Sequence, residues 1–407
     1  MKLTFIHAAD LHLDSPFKGM ETAMPSFIFE AMKESTFQSF QRIVDTAIQE
    51  QVDFVVIPGD VYDREVRSLR AQLFLREQMR RLHDYDIQVY ISHGNHDHLG
   101  GNGAGIELPN NVHVFQQPFV TKQPFHKQGQ LLAYVYGFSY GQRAVTKRMA
   151  AQYEKEEEAP FHIGLLHGSL EGNHEHSSYA PFLLSELMEK QFDYWALGHI
   201  HKRVVLNEQP PIIYPGNIQG RHRKEMGEKG CYLVTLMEGR ASYTFIPTAS
   251  IIWKEAEISI EGMQRIDELL KRCEEVMNDL RRETEGVLLV LTISGSGPLA
   301  LYLQDGQHVD ELVAILAQGE ERNDFVYPIS CLNRTYSEEA LKESPFLLDL
   351  LQEADSFSEI DTVLRPFWST SAARKVIEPF SEEEKQDILE EAKRLLIGEM
   401  MKGGRAY

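Results

Sequence analysis

The chain has 407 residues, enough for two or three domains, and its 43% hydrophobic and 25% charged content is that of a soluble folded protein. No apolar run nears membrane-spanning length, and Met1 to Asp10 has no basic leader region before its first Asp, so a cytoplasmic location is expected. Cys231, Cys273 and Cys331 are far apart and odd in number, against a disulfide framework or zinc ribbon; the net charge of −20 opposes nucleic acid unless local basic groups or bound cations offset it.

Leu3 to Ala9 reads as a strand that runs into Asp10-Leu11-His12. Side chains two apart on extended backbone point the same way, so Asp10 and His12 can close on one ion. Residues 35 to 50 carry Phe37, Phe40, Ile43, Val44, Ala47 and Ile48 at helical spacing. A second strand, Asp53 to Ile57, ends in Pro58-Gly59-Asp60-Val61-Tyr62-Asp63, and Arg67 to His83 is again helical. A third strand, Ile87 to Ser92, delivers His93-Gly94-Asn95-His96-Asp97-His98. By itself Gly94-Asn95 is ordinary turn chemistry, but clustered polar groups beyond a buried strand need partners, and Asn and His are ligands for divalent cations.

Strand-like runs follow at Val112 to Phe115 and Leu131 to Phe138, then a polar helix over 142 to 158 with a solvated charged end, Glu154 to Glu158. Phe161 to Leu166 delivers His167-Gly168, and Asp193 to Leu197 delivers Gly198-His199-Ile200-His201. Short strands at 211 to 214, 230 to 237 and 241 to 246 close a first domain of residues 1–250. Residues 251–333 form a small α+β unit: strand Ala256 to Ile260, helix Met263 to Arg282, strand Val287 to Ser294, helix Val309 to Gln318, strand Phe325 to Ile329. The tail, 334–407, is mostly helical. Ser381 and Glu384 form a capping box, and Ile388, Leu389, Ala392, Leu395, Leu396 and Met400 share one face.

The β-α-β-α-β order predicts a layered α/β core whose strand ends project functional loops. Metal-type ligands stand at several such ends: Asp10 and His12, Asp60, Asn95 and His96, His167, and His199 with His201. Each is also open to a plainer reading as a polar turn, but the ordered set points to a metal site. Arg64, Arg67 and Arg70 follow the second motif as phosphate contacts or as a solvated helix start; Arg221, His222, Arg223 and Lys224 form a further basic cluster suited to phosphate. His174 and His176 fit a polar loop, and His7 and His93 fit structural roles.

Asp-x-His, Gly-Asp-x-x-Asp, Gly-Asn-His-Asp, His-Gly and Gly-His-x-His, in that order, resemble the calcineurin-like metallophosphoesterase superfamily over residues 1 to about 250. The strings Asp10-Leu-His-Leu-Asp-Ser-Pro-Phe17 and Pro215-Gly-Asn-Ile-Gln-Gly-Arg-His222, with the small second domain, are most similar to its SbcD/YhaO group of DNA repair exonucleases. The resemblance implies an α/β fold: a four-layer β-sandwich flanked by helices, with a small α+β capping domain that binds DNA and a helical C-terminal segment that binds a partner. It implies two divalent ions, manganese by the family, with Asp10, His12, Asp60 and His201 on one, Asp60, Asn95, His167 and His199 on the other, and Asp60 bridging. It also implies His96 as general acid with Asp97 orienting it, a homodimer, and an SbcC-type coiled-coil ATPase partner. Related nucleases often have His where Asp63 stands; Asp63 is either an orienting carboxylate for a ligand histidine or a plain loop residue. The expected activity is metal-dependent DNA phosphodiester hydrolysis, as an exonuclease and also an endonuclease. Its rivals are a phosphatase or small-nucleotide phosphodiesterase, and a DNA-end-binding scaffold with a vestigial site.

Overall fold

The computed structural model describes residues 1–17, 20, 24–63, 67–100, 105–156, 158–171, 179–282, 285–336, 353–354, 357, 359–368, 380–382, 384–389 and 392–393. They fall into two compact units, one of Met1–Lys254 with Arg281–Leu288 and Glu321–Phe325, the other of Glu255–Leu280, Leu289–Glu320 and Val326–Tyr407.

The first unit is built on two six-stranded mixed sheets. The first sheet runs β12 (Arg240–Pro247), β11 (Gly230–Met237), β1 (Lys2–His7), β2 (Phe54–Pro58), β3 (Gln88–Ser92), β4 (Val112–Val114). The second runs β5 (Thr121–Lys127), β6 (Gln130–Gly137), β7 (Phe161–His167), β8 (Tyr194–Gly198), β10 (Pro211–Tyr214), β9 (Val204–Glu208). Strands β1 to β4 are mutually parallel, as are β6, β7, β8 and β10. Parallel neighbours share a direction, so the C-terminal ends of β1, β2 and β3 open on one edge of their sheet, and those of β7 and β8 on one edge of theirs.

Strands β2, β7 and β8 are buried along their whole length, which explains their unbroken apolar runs. One face of each sheet meets the other: Leu3, Phe5, Phe54, Val56 and Tyr90 pack with Ala133, Val135, Ile163, Leu165, Tyr194 and Ala196. On the outer side of the first sheet lie α1 (Ser26–Gln49) and α2 (Leu69–His83), through Phe37, Phe40, Ile43, Leu75, Met79 and Leu82. The outer side of the second is covered by Met149 and Tyr153 around a 3₁₀ turn, by Leu187 of α3 (Leu184–Glu189) and by Phe192. The layers are therefore helix, sheet, sheet, irregular cover.

Several local expectations are corrected. Helix α1 starts at Ser26, not near residue 35. Within it Ser35 and Ser39 turn their hydroxyls back onto Met32 O at 2.6 Å and Ser35 O at 2.7 Å. The polar helix over 142 to 158 is reduced to the 3₁₀ turn Met149–Gln152, because fully buried Tyr153 is drawn inward and its hydroxyl donates to Leu165 O. Edge strands β5 and β9 are additions to the expected strands; β5 is largely polar and contains Pro124, and β9 is only five residues long.

The second unit holds most of a three-stranded sheet ordered β13 (Ile251–Ser259), β14 (Gly286–Ser296), β15 (Val326–Tyr336). It also holds α4 (Ile266–Leu280), α5 (Leu299–Leu303) and α6 (Gly306–Leu316). Of the C-terminal apolar face, Ile388 and Leu389 are half-buried, whereas Leu395, Leu396 and Met400 lie outside the described residues. The capping box is formed: Ser381 N donates to Glu384 Oε2 at 2.8 Å and Glu384 N to Ser381 Oγ at 3.2 Å.

Candidate metal centre

The backbone leaves the strand ends in conformations that few side chains favour. Asp10, His12, Asp60 and His199 have φ of 52°, 43°, 49° and 97°, the left-handed region. Cross-loop hydrogen bonds hold them there: His12 N donates to Asp60 O at 3.0 Å, His199 N to Asp10 Oδ1 at 3.0 Å, and His96 N to Asp60 Oδ1 at 3.0 Å. Glycines make the approach possible. A Cβ on Gly94 would stand 2.3 Å from Asp60 Oδ1, and one on Gly198 would stand 2.0 Å from Pro58 O.

These loops bring together Asp10 with His12 and His201, His12 with Asp60 and His96, and Asp10 with Asp60 and His167, each as a group of atoms close enough to share an ion. Asn95 joins through Oδ1, 2.9 Å from His167 Nε2. His199 enters none of those groups, but its ring lies edge-on to the rings of His167 and Tyr179, each at 5.3 Å between centroids. Asp10, His12, Asp60 and His167 are essentially fully buried.

The chemistry of the donor set fits divalent ions. His167 Nδ1 donates to Pro58 O at 3.0 Å, which aims Nε2 at Asn95 Oδ1 (2.9 Å) and Asp60 Oδ2 (3.5 Å), both acceptors. His201 Nδ1 donates to the Glu225 carboxylate at 2.6 Å, and His12 Nδ1 lies 3.3 Å from Asp63 Oδ1. His201 Nε2 is then an acceptor, and it faces His12 Nε2 at 3.1 Å. Carboxylate, amide and imidazole acceptors crowded at this edge are a donor set that suits a divalent cation.

Electrostatics point the same way. Burial and the neighbouring Asp60 raise the Asp10 carboxyl to about 7, against the opposing pull of His167. Burial acts to lower His167, but the Asp60 and Asp10 carboxylates outweigh it and raise the imidazole to about 9, so the pocket attracts positive charge. His12 is pushed down to about 3 by burial with help from Arg221, and His201 is also lowered by burial; neutral imidazole is the ligating form.

The expected partnership of Asp97 with His96 is corrected. Asp97 accepts from His93 Nδ1 at 2.9 Å, Gly94 N at 2.8 Å and Val61 N at 3.0 Å, so it ties the Asn95 loop to the Asp60 loop. His96 Nδ1 instead donates to Asp63 O at 2.9 Å. Two expected phosphate contacts turn inward as well. Arg67 donates to Asp97 O at 2.8 Å and lies over the Tyr62 ring, and Arg221 pairs with Asp63. His222 and Arg223 are exposed; Arg64, His174 and His176 lie outside the described residues. Glu225 was missed. It sits just past the basic cluster, where a single carboxylate carries no motif of its own.

Two facing sheets that present Asp, Asn and His from their strand ends define a metallophosphoesterase. Residues 3–203 match the calcineurin-like phosphoesterase family, and residues 253–329 match the middle domain of metallophosphoesterase YhaO. Over 397 residues the chain is 42% identical to the metallophosphoesterase YhaO of Bacillus subtilis, covering 97% of each. It is 24% identical over 324 residues to the DNA double-strand break repair protein Mre11 of Thermoplasma acidophilum (74% of this chain, 82% of the relative). The corresponding protein of Methanocaldococcus jannaschii is 23% identical over 292 residues (68% and 74%). The chain therefore belongs to the calcineurin-like metallophosphoesterase family and is a metal-dependent hydrolase of phosphoester bonds.

Proposed function

We propose that this protein is a DNA phosphodiesterase, an exonuclease with endonuclease capacity, whose site holds two divalent ions, manganese by preference. The observation that carries this reading is the convergence of His12, His201, Asp10, Asp60, Asn95 and His167 with their acceptor atoms turned inward. Asp10, His12, Asp60 and His201 would hold one ion and Asp60, Asn95, His167 and His199 the other. When bound, such ions supply charge stabilisation at the phosphate and a nucleophile active at neutral pH.

The protein's own groups do the rest. His96 holds its proton-delivering nitrogen toward the leaving oxygen, fixed by the bond from Nδ1 to Asp63 O. Asp97 keeps the loop of Asn95 and His96 in register with Asp60. His222, Arg223 and Arg64, which follows the second motif in sequence, contact the backbone phosphates. A polymer substrate is supported by the relatives named as DNA double-strand break repair proteins. In this reading residues 1–250 carry hydrolysis, 251–333 cap the site and engage DNA, and 334–407 bind an SbcC-type coiled-coil ATPase, with two nuclease chains per assembly.

The test is turnover on labelled duplex DNA, single strands and small phosphate esters, across metals and after chelation. DNA cleavage restored best by Mn²⁺ is expected, with Asp60→Ala losing most bound metal and all cleavage. Hydrolysis of small esters with no cleavage of any DNA would identify a phosphatase instead.

A further inference from the structure

Glu225 lies outside the motifs quoted above yet makes a short contact, 2.6 Å, to one of the clustered imidazoles. Its carboxylate is buried. Oε1 lies 2.6 Å from His201 Nδ1, while Oε2 accepts from Arg221 N at 2.7 Å and from Asn217 Nδ2 at 2.8 Å. Asn217 Nδ2 also donates to Gln219 O at 2.7 Å, and Glu225 N donates to His222 O at 2.9 Å. On the opposite side Lys229 Nζ donates to His201 O at 2.8 Å, so His201 is gripped at its ring and its backbone. The same segment reaches the other imidazole: Arg221 pairs with Asp63, whose Oδ1 is 3.3 Å from His12 Nδ1.

We propose that Glu225 is a positioning residue that fixes the tautomer of His201. A carboxylate can only accept, so the His201 proton must reside on Nδ1 and the Nε2 lone pair must point at His12 Nε2, 3.1 Å away. The inference rests on the metal-centre reading above. The plainer role for Glu225 is to close the Arg221–Glu225 turn and stabilise it without reference to metal.

The two roles separate in Glu225→Gln. Its amide keeps the shape and one acceptor oxygen for Arg221 N. Toward His201, however, it presents an NH₂ donor, which forces the imidazole proton onto Nε2, where it blocks ligation. Mn²⁺ titration followed by the EPR signal of free ion should show two ions on the parent protein, with one of them bound about 10–100-fold more weakly in Glu225→Gln. The thermal midpoint of the metal-free protein should change little. Nitrogen-15 NMR of the metal-free parent protein should show the His201 proton on Nδ1, a measurement that stands even where the variant does not fold. A His201 proton on Nε2 in the parent, or two ions bound as tightly by a folded Glu225→Gln as by the parent, overturns the positioning role. A parent protein that takes up no Mn²⁺ while its His201 proton is on Nδ1 overturns the metal-centre reading instead.

Discussion

His96 and Asp97 are adjacent in sequence and do different work, because their side chains leave the turn in different directions. His96 is half-buried with Nδ1 anchored on Asp63 O, whereas Asp97 is fully buried under three hydrogen bonds. A deoxyribose leaving oxygen needs a proton, and general-acid help is typically worth ~10²–10⁴-fold. His96→Ala should therefore cripple DNA cleavage by that order, while sparing much of the activity on a p-nitrophenyl phosphodiester, whose leaving group departs as a stable anion. Equal losses on both substrates in a folded, fully metallated variant would sink the assignment. His96 also lies in an ion-sized group with His12 and Asp60, and loss of metal in the variant would make it a ligand. His7, at the end of β1, governs a different property. It is fully buried between Tyr194 OH at 2.9 Å and Leu197 O at 3.1 Å, and burial lowers its imidazole from 6.5 to about 3. Above pH 6.5 both folded and unfolded forms are neutral there, and this contribution is intact. As pH falls from 6.5 toward 3, only the unfolded chain takes the proton, and stability drops by up to about 1.4 kcal/mol per unit. His7→Gln keeps polar partners but cannot titrate. Its unfolding free energy should fall less steeply between pH 6 and 4 than the parent's, and identical slopes in denaturant melts would refute the assignment.

At the scale of the elements, the site exists because two sheets bring strand ends to within contact of each other's backbone. Gly198 ends β8 against Pro58 at the end of β2, and Pro58 O also accepts the His167 Nδ1 proton at the end of β7. A methyl group on Gly198 would meet that oxygen at 2.0 Å, far inside contact distance, with backbone rather than a movable side chain in the way. Gly198→Ala should cost about 1–3 kcal/mol by overpacking and weaken metal uptake at the His167 side. Gly306, at the start of α6, has nothing within 4 Å of its Cβ position and serves as the control. Thermal melts and metal content measured on both variants decide this; a neutral Gly198→Ala would mean that the strand ends are not locked together.

For the molecule as a whole, a net charge of −20 stands against binding a polyanion. In the proposed reading, exposed Arg223 and bound cations would supply the offsetting charge. In the proposed assembly the C-terminal segment supplies a different contact. Ile388 and Leu389 are half-buried on a helix started by the Ser381–Glu384 capping box, and each well-buried aliphatic side chain contributes roughly 1.5–3 kcal/mol. Truncation after Phe380 should leave hydrolysis of simple diesters intact and abolish co-purification with the coiled-coil ATPase. Complex formation that survives the truncation moves the contact elsewhere.

The ligand types and their order were legible in the sequence because each follows an apolar run that could only be a buried strand. A strand end has few places to project polar side chains except the sheet edge. The layered α/β class followed from the same alternation of buried strands with amphipathic helices. Pairings across loops were decided only by tertiary structure. Arg221 and Asp63 are 158 residues apart, Glu225 and His201 are 24, and nothing in local periodicity says which carboxylate a given imidazole will meet. The same holds where distance in sequence is small: Asp97 chose His93 over adjacent His96 because the turn's backbone faces it inward. Hydrogen-bond direction is set by how the sheets and loops close on one another, and that closure is a property of the packed chain.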